Sequence, residues 1–159
     1  MGLDMYLTKS TYVQNWAHRP DVKHKVRVTM NNKTRKDIKP ERVSEVIEDV
    51  MYWRKANHIH AWFVENCQDG EDNCQRTHVP REKLDELATL CEEVLQFKAD
   101  GKSPDEILPT QAGFFFGATE YDEYYYGQCK ETAEVIRELL KEDNPKGTYS
   151  GEFYYQSSW

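Results

Sequence analysis

The sequence contains no apolar run that approaches the length of a membrane span. Its first seven residues include an acid and lack both a basic leader and a long apolar core, so we expect no signal peptide. The four cysteines are scattered at positions 67, 74, 91 and 129. Without a secretory signal, this pattern favours reduced thiols in a cytosol.

Motifs of the common site chemistries are also missing. Structural zinc sites have closely spaced cysteine pairs, and none occurs here, so we predict no metal. The chain has no Gly-x-Ser-x-Gly elbow, no phosphate-binding P-loop and no dinucleotide fingerprint, since Gly113 and Gly117 only bracket aromatic residues. We therefore predict no cofactor. The sequence leaves catalysis open but favours a protein that is not an enzyme.

An excess of basic residues is absent as well. The chain has 28 Asp and Glu against 21 Lys and Arg, a net charge of −7. Because duplex-DNA binders draw much of their affinity from phosphate neutralisation, this balance argues against such a partner. It does not exclude one local anion-binding patch, and Lys33, Arg35, Lys36 and Lys39 form such a cluster with residues 23–27.

The composition is that of a folded domain with many aromatic side chains. The chain has 159 residues, with 10 Tyr, 6 Phe and 4 Trp, and shows no repeat, low-complexity tract or linker. Residues 1–159 are therefore expected to form one domain with a substantial core. The sequence does not fix its oligomeric state, and a homo-oligomer is compatible with it.

Hydrophobic periodicity predicts the elements of an α+β fold. Alternation or apolar character predicts strands at about 2–9, 22–30, 113–117 and 151–157, and helical spacing predicts helices at about 52–66, 80–98 and 122–142. Residues 42–50 fit both types, and we favour a helix there. Asn31-Asn32 is predicted to form a turn, Gly101 to end one helix, and Asn144-Pro145 to end another. The expected fold is a single domain whose small, mainly antiparallel sheet is covered by three helices.

One segment, from Tyr52 to Phe63, combines flat rings with cations and amides in an unusual way. Tyr52, Trp53, Arg54, Lys55 and Asn57 fall within six residues. Trp and Tyr rings stack on bases, Arg and Lys bind phosphate, and Asn recognises ring edges. The segment therefore indicates a ligand-binding surface. The alternative is an aromatic-rich core, but Arg and Lys contribute little to a core.

A second segment, from Leu108 to Tyr126, contains the glycine-bracketed phenylalanines and a run of tyrosines. Glycine permits close backbone approach to a ligand, and tyrosines supply walls with hydroxyl tips. We predict that the two segments build one pocket. The candidate ligand-binding residues are Tyr52, Trp53, Arg54, Lys55, Asn57, His60, Thr110, Phe115, Tyr121 and Asp122.

The chain resembles a family of small proteins encoded by bacteriophages and prophages. The resemblance rests on the segments Gly2–Leu7, Tyr52–Asn57, Ile59–His60, Trp62–Phe63, Leu108–Thr110, Gly113–Gly117 and Tyr121–Asp122. It covers nearly the whole chain and implies a phage origin and action in the cytosol of a bacterial host. It brings no established activity, fold or catalytic residue.

The first functional hypothesis is a non-catalytic pocket that sequesters a nucleotide or another phosphate-bearing signal of host defence. A second is an acidic inhibitor that docks on a basic host defence protein. A third is a phosphoesterase or related hydrolase in which His60 is the catalytic base. No membrane partner is expected.

Overall fold

The computed structural model describes residues 2–142 and 151–159. These residues form a four-stranded antiparallel sheet, a separate two-stranded hairpin and three α-helices. In chain order the elements are β1 (Asp4–Tyr12), β2 (Thr29–Met30), β3 (Lys33–Thr34), a 3-10 turn (Pro40–Arg42), β4 (Glu45–Arg54), α1 (Asn57–Cys67), β5 (Thr77–Val79), α2 (Arg81–Ala99), α3 (Glu123–Glu142) and β6 (Glu152–Ser158). The predicted α+β fold with three helices and a small antiparallel sheet is confirmed.

The main sheet has the strand order β4-β1-β6-β5, and every neighbouring pair is antiparallel. Side chains alternate between its two faces, and one face carries the core. Met5 lies opposite Trp53 on β4, and Leu7 lies opposite Tyr155 on β6. All four are buried, whereas Tyr6 between them is exposed. The sheet therefore packs one face against the helices.

Helices α2 and α3 pack against each other above this face. Buried side chains at helical spacing on α2 include Leu84, Leu87 and Cys91, and α3 buries Cys129 and Ile136. Among the described residues, no helix combines the length and the apolar character that a membrane span needs. Contacts of α3 with β4 join the helical layer to the edge of the sheet.

The turn and capping predictions are confirmed where the structure describes them. Asn31 and Asn32 both have positive φ, 50° and 62°, as a tight hairpin turn between β2 and β3 requires. Gly101, with φ of 70°, follows the end of α2. The Asp122 carboxylate accepts a hydrogen bond from the Tyr125 N–H at 3.0 Å and so caps α3. Asn144-Pro145 lies outside the described residues.

The predicted boundary near residue 52 is wrong. Residues 45–54, which we expected to be helical, form the strand β4, and α1 begins only at Asn57. The positions that fitted a helical stripe (Val43, Val46, Ile47 and Val50) are exposed or half-buried, so no helix face would have been covered. The β-branched side chains favour the extended conformation instead.

Two further predicted strands are not formed as expected. Residues 22–30 keep their alternation, with exposed Lys23 and Lys25 beside half-buried Val22, yet only Thr29–Met30 pairs with another strand. Among the described residues, no other strand pairs with the remainder of this segment. Residues 113–117 form a turn in which the Phe116 N–H donates to the Gly113 carbonyl at 3.2 Å.

Arg137 joins α3 to α2 at the surface. Its guanidinium donates two hydrogen bonds of 2.9 Å to the carboxylate of Glu92 and forms an ion pair with Asp85. The hydrogen bonds from Arg137 lower the pKa of Glu92. A lowered folded-state pKa stabilises the fold above the ordinary glutamate pKa, and this contribution is lost as the pH falls through the lowered value.

Replacement Glu92→Gln is expected to lower the free energy of unfolding at pH 7 by no more than about 1 kcal/mol, because the pair is largely exposed. The difference from wild type should shrink between about pH 5 and pH 3, since protonated glutamate resembles glutamine. Urea unfolding at several pH values measures it. A difference that stays constant down to pH 3 would contradict the assigned ion pair.

Candidate functional site

A cleft of about 240 Å³ lies where the end of β4 meets the first turns of α1 and α3. We call it the α1–α3 pocket. It is lined by Lys55, Asn57, His58, Thr110, Gly117, Ala118, Glu120, Asp122, Tyr124, Tyr125 and Gln128. The two segments that the sequence analysis singled out therefore contribute to one cavity.

Lys55 is held in place by its backbone and by two glycines. Its φ of 54° lies in the left-handed region and turns the chain from β4 toward α1. The Lys55 N–H donates to the Leu3 carbonyl at 2.7 Å. A Cβ at Gly117 would lie 3.1 Å from the Lys55 Cβ, and one at Gly2 would lie 3.3 Å from its Cε. The lysine stem thus runs between two backbones that allow close approach.

Asn57 fixes the opposite wall of the pocket. Its buried amide nitrogen donates to the carbonyls of Phe116 at 3.0 Å and Ala118 at 2.8 Å. Its amide oxygen accepts from the Gln111 N–H at 2.9 Å. One side chain therefore ties the loop 111–118 to the start of α1, and its own polar atoms are fully used.

The N-terminus of α1 is open to an anion. No side chain caps this helix, and its first turn contains no acid. The first intrahelical bond runs from the His60 N–H to the Ala56 carbonyl at 2.9 Å. Among the described residues, nothing accepts a hydrogen bond from the N–H groups of Asn57, His58 or Ile59. Free N–H groups and the helix dipole both favour negative charge at such an end.

His58 adds a further unsatisfied polar group to the free N–H groups at the start of α1. The ring is 2% exposed, lines the pocket, and lies 4.3 Å from the Tyr125 ring. Its Nε2 is buried and has no hydrogen-bond partner among the described residues. An unpaired buried polar atom costs about 1–3 kcal/mol, so a ligand that reached Nε2 through a small movement of the ring would recover that cost.

Below His58 lies a small cluster of thiols. Cys91 on α2 and Cys129 on α3 are both fully buried. The pKa of Cys129 is lowered, against the opposing effect of burial, first by the neighbouring Cys91 thiol and then by the nearby His58 ring. Burial raises the pKa of Tyr125, whose hydroxyl donates to the Leu108 carbonyl at 2.7 Å. The floor of the pocket is thus closed by buried side chains, among them the His58 and Tyr125 rings that pack against each other.

Two carboxylates, those of Glu120 and Asp122, also line the pocket. Glu120 accepts from the Thr119 N–H at 3.1 Å, and Asp122 accepts from the N–H of Tyr125. Among the described residues, no donor bonds the second oxygen of either carboxylate, so a ligand hydroxyl or amine can donate to it. Lys55 forms no ion pair with either of them or with any other described acid. The pocket is therefore polarised, with donors at the α1 end and acceptors at the α3 end.

Four of the predicted binding residues line this pocket: Lys55, Asn57, Thr110 and Asp122. The other six lie elsewhere. Trp53 is in the core, 3% exposed, and its Nε1 donates to Thr132 at 2.8 Å. Tyr52 lies on the outer face of β4, where its hydroxyl bonds Asp4. The Arg54 side chain is exposed outside the lining.

His60 is fully buried, and both of its ring nitrogens are occupied. Nδ1 is hydrogen-bonded to the Tyr155 hydroxyl at 2.7 Å, and Nε2 to Asp72 at 2.9 Å. The Phe116 ring packs edge-on at 5.1 Å. His60 therefore offers no free nitrogen to a substrate in this structure, which removes the geometric support for a hydrolase based on it.

Two other predicted residues shape the pocket from behind. The Tyr121 hydroxyl accepts from the Thr110 N–H at 3.4 Å, and its ring packs edge-on against Tyr125 at 4.9 Å. Phe115 is half-buried, and its carbonyl accepts from the Leu3 N–H at 3.1 Å. Both residues position the loop and lie outside the lining.

Sequence reasoning omitted His58, Tyr124 and Gln128 from the binding set. The hydroxyl of Tyr124 and the amide of Gln128 donate to the Arg54 carbonyl at 2.8 Å and 3.0 Å, which ties α3 to the end of β4. A strand ending at residue 54 would have placed His58 in the first turn of the next helix. That position, beside an uncapped start, is the sequence feature that could have identified it.

The described residues contain no group of three or more His, Cys, Asp or Glu that could hold a metal ion. Comparison of the chain with protein-family models, with curated proteins and with solved structures finds no match. The resemblance to phage-encoded proteins therefore stays a prediction, and the function has to be argued from the pocket itself.

Proposed function

We propose that the protein binds a small phosphate-bearing ligand, about the size of one nucleotide, in the α1–α3 pocket and leaves it chemically unchanged. The observation that carries the proposal is the buried His58 Nε2, which lacks a partner beside the uncapped start of α1. Both features favour an acceptor-rich group at the same end of the cavity.

The phosphate fits the α1 end of the pocket. Lys55 supplies a cation, the first turn of α1 supplies backbone N–H donors, and His58 supplies a ring nitrogen. Charge-assisted hydrogen bonds of this kind are about twice as strong as neutral ones. The remaining ligand body would then extend toward α3.

The α3 end suits a hydroxyl-bearing body with a flat ring. The free oxygens of Glu120 and Asp122 can accept from sugar hydroxyls, and Tyr124 adds an aromatic surface. A volume of about 240 Å³ lies just below the usual range for drug-sized ligands. This size favours a mononucleotide or a sugar phosphate over a dinucleotide.

Binding of this kind needs a concave site and fixed donors but no catalytic base. In the phage setting that the sequence resemblance implies, the protein would act in the cytosol of a bacterial host. There it would lower the free concentration of a phosphate-bearing signal of host defence.

Isothermal titration with 5′-mononucleotides, cyclic dinucleotides and inorganic phosphate tests the proposal. We expect a mononucleotide to bind, and we expect Lys55→Ala to weaken its affinity by at least about tenfold, the effect of losing a hydrogen bond to a charged group. Arg54→Ala is the matched control, because Arg54 is the neighbouring cation and lies outside the pocket. The affinity of the Arg54→Ala variant for the mononucleotide should equal that of the wild type.

Two results would contradict the proposal. One is the absence of any heat or thermal shift with these compounds at millimolar concentration. The other is an equal loss of affinity in Lys55→Ala and Arg54→Ala, which would indicate diffuse surface attraction in place of a defined site.

A further inference from the structure

A second part of the molecule is built quite differently from the pocket. From Thr8 to Val50 no residue is buried. Beyond Ser10, the only described strand that pairs with β1 is β4, because the pairing with β6 stops at Ser10 and Glu152. Residues 12–44, which we call the basic arm, therefore project from the body without a core of their own.

The basic arm is ordered by local hydrogen bonds. The Val13 N–H donates to the Ser44 carbonyl at 2.8 Å, which closes the base of the arm. The side chain of Asn15 bonds both the N–H and the carbonyl of His24, at 2.6 Å and 2.8 Å. The β2–β3 hairpin follows. Because this exposed, ordered surface builds no core, its residues need an explanation other than core packing.

The charge of the basic arm is opposite to that of the body. Residues 12–44 contain nine Lys and Arg against three Asp and Glu, a net +6 in a chain of net −7. Three of its arginines and its aspartates pair with one another or with backbone within the arm. The side chains of five lysines have no ion-pair or hydrogen-bond partner among the described residues: Lys23, Lys25, Lys33, Lys36 and Lys39.

Flat rings lie in a row at the start of the arm. Tyr12 and Trp16 stack with centroids 6.0 Å apart and an interplanar angle of 10°, and His18 lies 5.8 Å beyond Trp16. Trp16 is 48% exposed. A cleft of about 90 Å³ beside Trp16 also contacts Arg19. Exposed rings and unpaired cations on one segment are the two elements that proteins use to hold unpaired bases and their phosphates.

We infer that the basic arm binds single-stranded nucleic acid, with Trp16 stacking on a base and the unpaired lysines contacting phosphates. Stacking requires an unpaired base, so the rings favour a single strand over a duplex. A flexible strand can also follow the arm and avoid the acidic body, whose charge is screened beyond about 8 Å at physiological salt. An anionic membrane offers phosphates but no unpaired bases for the exposed rings.

The test is fluorescence anisotropy with a labelled oligo-dT of about 15 nucleotides, a duplex of equal length, and vesicles with and without anionic lipid. We expect the single strand to bind best. Trp16→Ala should weaken binding about tenfold, the usual cost of one lost base stack. Replacing the five unpaired lysines by glutamine should reduce the steepness of the plot of log affinity against log salt concentration. We expect the slope to change by roughly 3 to 4.

A charge-matched control separates a local site from general attraction. It replaces five lysines of the body by glutamine: Lys83, Lys98, Lys102, Lys130 and Lys141. Both variants lose the same charge, and the arm substitutions remove no buried contact, so circular dichroism should show both folded. The control should bind the oligonucleotide at least tenfold more tightly than the arm variant.

Several outcomes would overturn the inference. These are no binding of wild type at 50 mM salt and 100 µM protein, equal losses in the two lysine variants, duplex binding as tight as single-strand binding, or a preference for anionic vesicles. The mononucleotide titration is independent of all of them, because the pocket and the basic arm share no residue.

Discussion

Replacing Asn57 by alanine is expected to lower the free energy of unfolding by about 2–4 kcal/mol, because three hydrogen bonds are lost and one buried carbonyl is left without a partner. Asn57→Asp should be at least as harmful, since a carboxylate cannot donate to the carbonyls of Phe116 and Ala118. Urea unfolding measures both. Ligand affinity should fall in parallel, because the loop 111–118 forms one wall of the pocket.

Asn66→Ala is the matched control for that experiment. Asn66 lies on the same helix, and its amide makes one bond, to the Trp62 carbonyl at 2.9 Å, at a half-exposed position. Its loss should cost under about 1 kcal/mol. Equal effects at Asn57 and Asn66 would show that Asn57 does not hold the loop.

Replacing Trp53 by alanine is expected to cost about 3–5 kcal/mol, the usual range for a buried aromatic side chain. The substitution leaves a cavity beneath α3 and removes the hydrogen bond to Thr132. Tyr52→Ala, one residue earlier on the same strand, should cost under about 1 kcal/mol, because Tyr52 is 48% exposed.

This pair of variants also distinguishes two roles for Trp53. If Trp53 stacked on a ligand, as the sequence suggested, its loss would weaken binding and leave stability nearly intact. The structure places it in the core, so stability should fall first. A stable Trp53→Ala protein with lost affinity would contradict that placement.

Parts of the fold followed directly from the sequence. The two longer helices have uninterrupted apolar spacing, as at Leu84, Leu87 and Cys91, and their predicted ends lie within one residue of the observed ones. The alternation at Met5 and Leu7 and the terminal aromatic strand were equally clear. In these segments local propensity and burial agree, which is why the pattern was sufficient.

The segment around residue 50 could not be resolved in the same way. Val46, Ile47 and Val50 satisfy both a helical and an extended period, and the choice depends on whether a neighbouring strand is present. Only β1 decides it, by pairing along β4 on both sides of an irregularity at Val50. When a helix is assumed to begin at Tyr52, the later side chains are assigned to the wrong helix faces. His58 is then predicted to point away from the pocket.

The candidate site was predicted only in part, because the boundary between β4 and α1 was misplaced. Lys55 and Thr110 do meet across one cavity, as the composition of the two segments suggested. The rings of Trp53 and Tyr52, which were expected to stack on a ligand there, do not line the cavity. Strand alternation places Trp53 in the core and Tyr52 on the exposed face. An unpaired nitrogen such as His58 Nε2 is a property of the packed structure, and no sequence pattern reveals it.

The most direct test of the account is the ¹⁵N chemical shift of the histidine rings during titration with the mononucleotide that binds best. The pocket model predicts that His58 Nε2 shifts with the binding curve, whereas both nitrogens of His60 stay unchanged, because Tyr155 and Asp72 already bond them. A ligand that binds without moving His58 Nε2, or that moves His60 instead, would contradict the account.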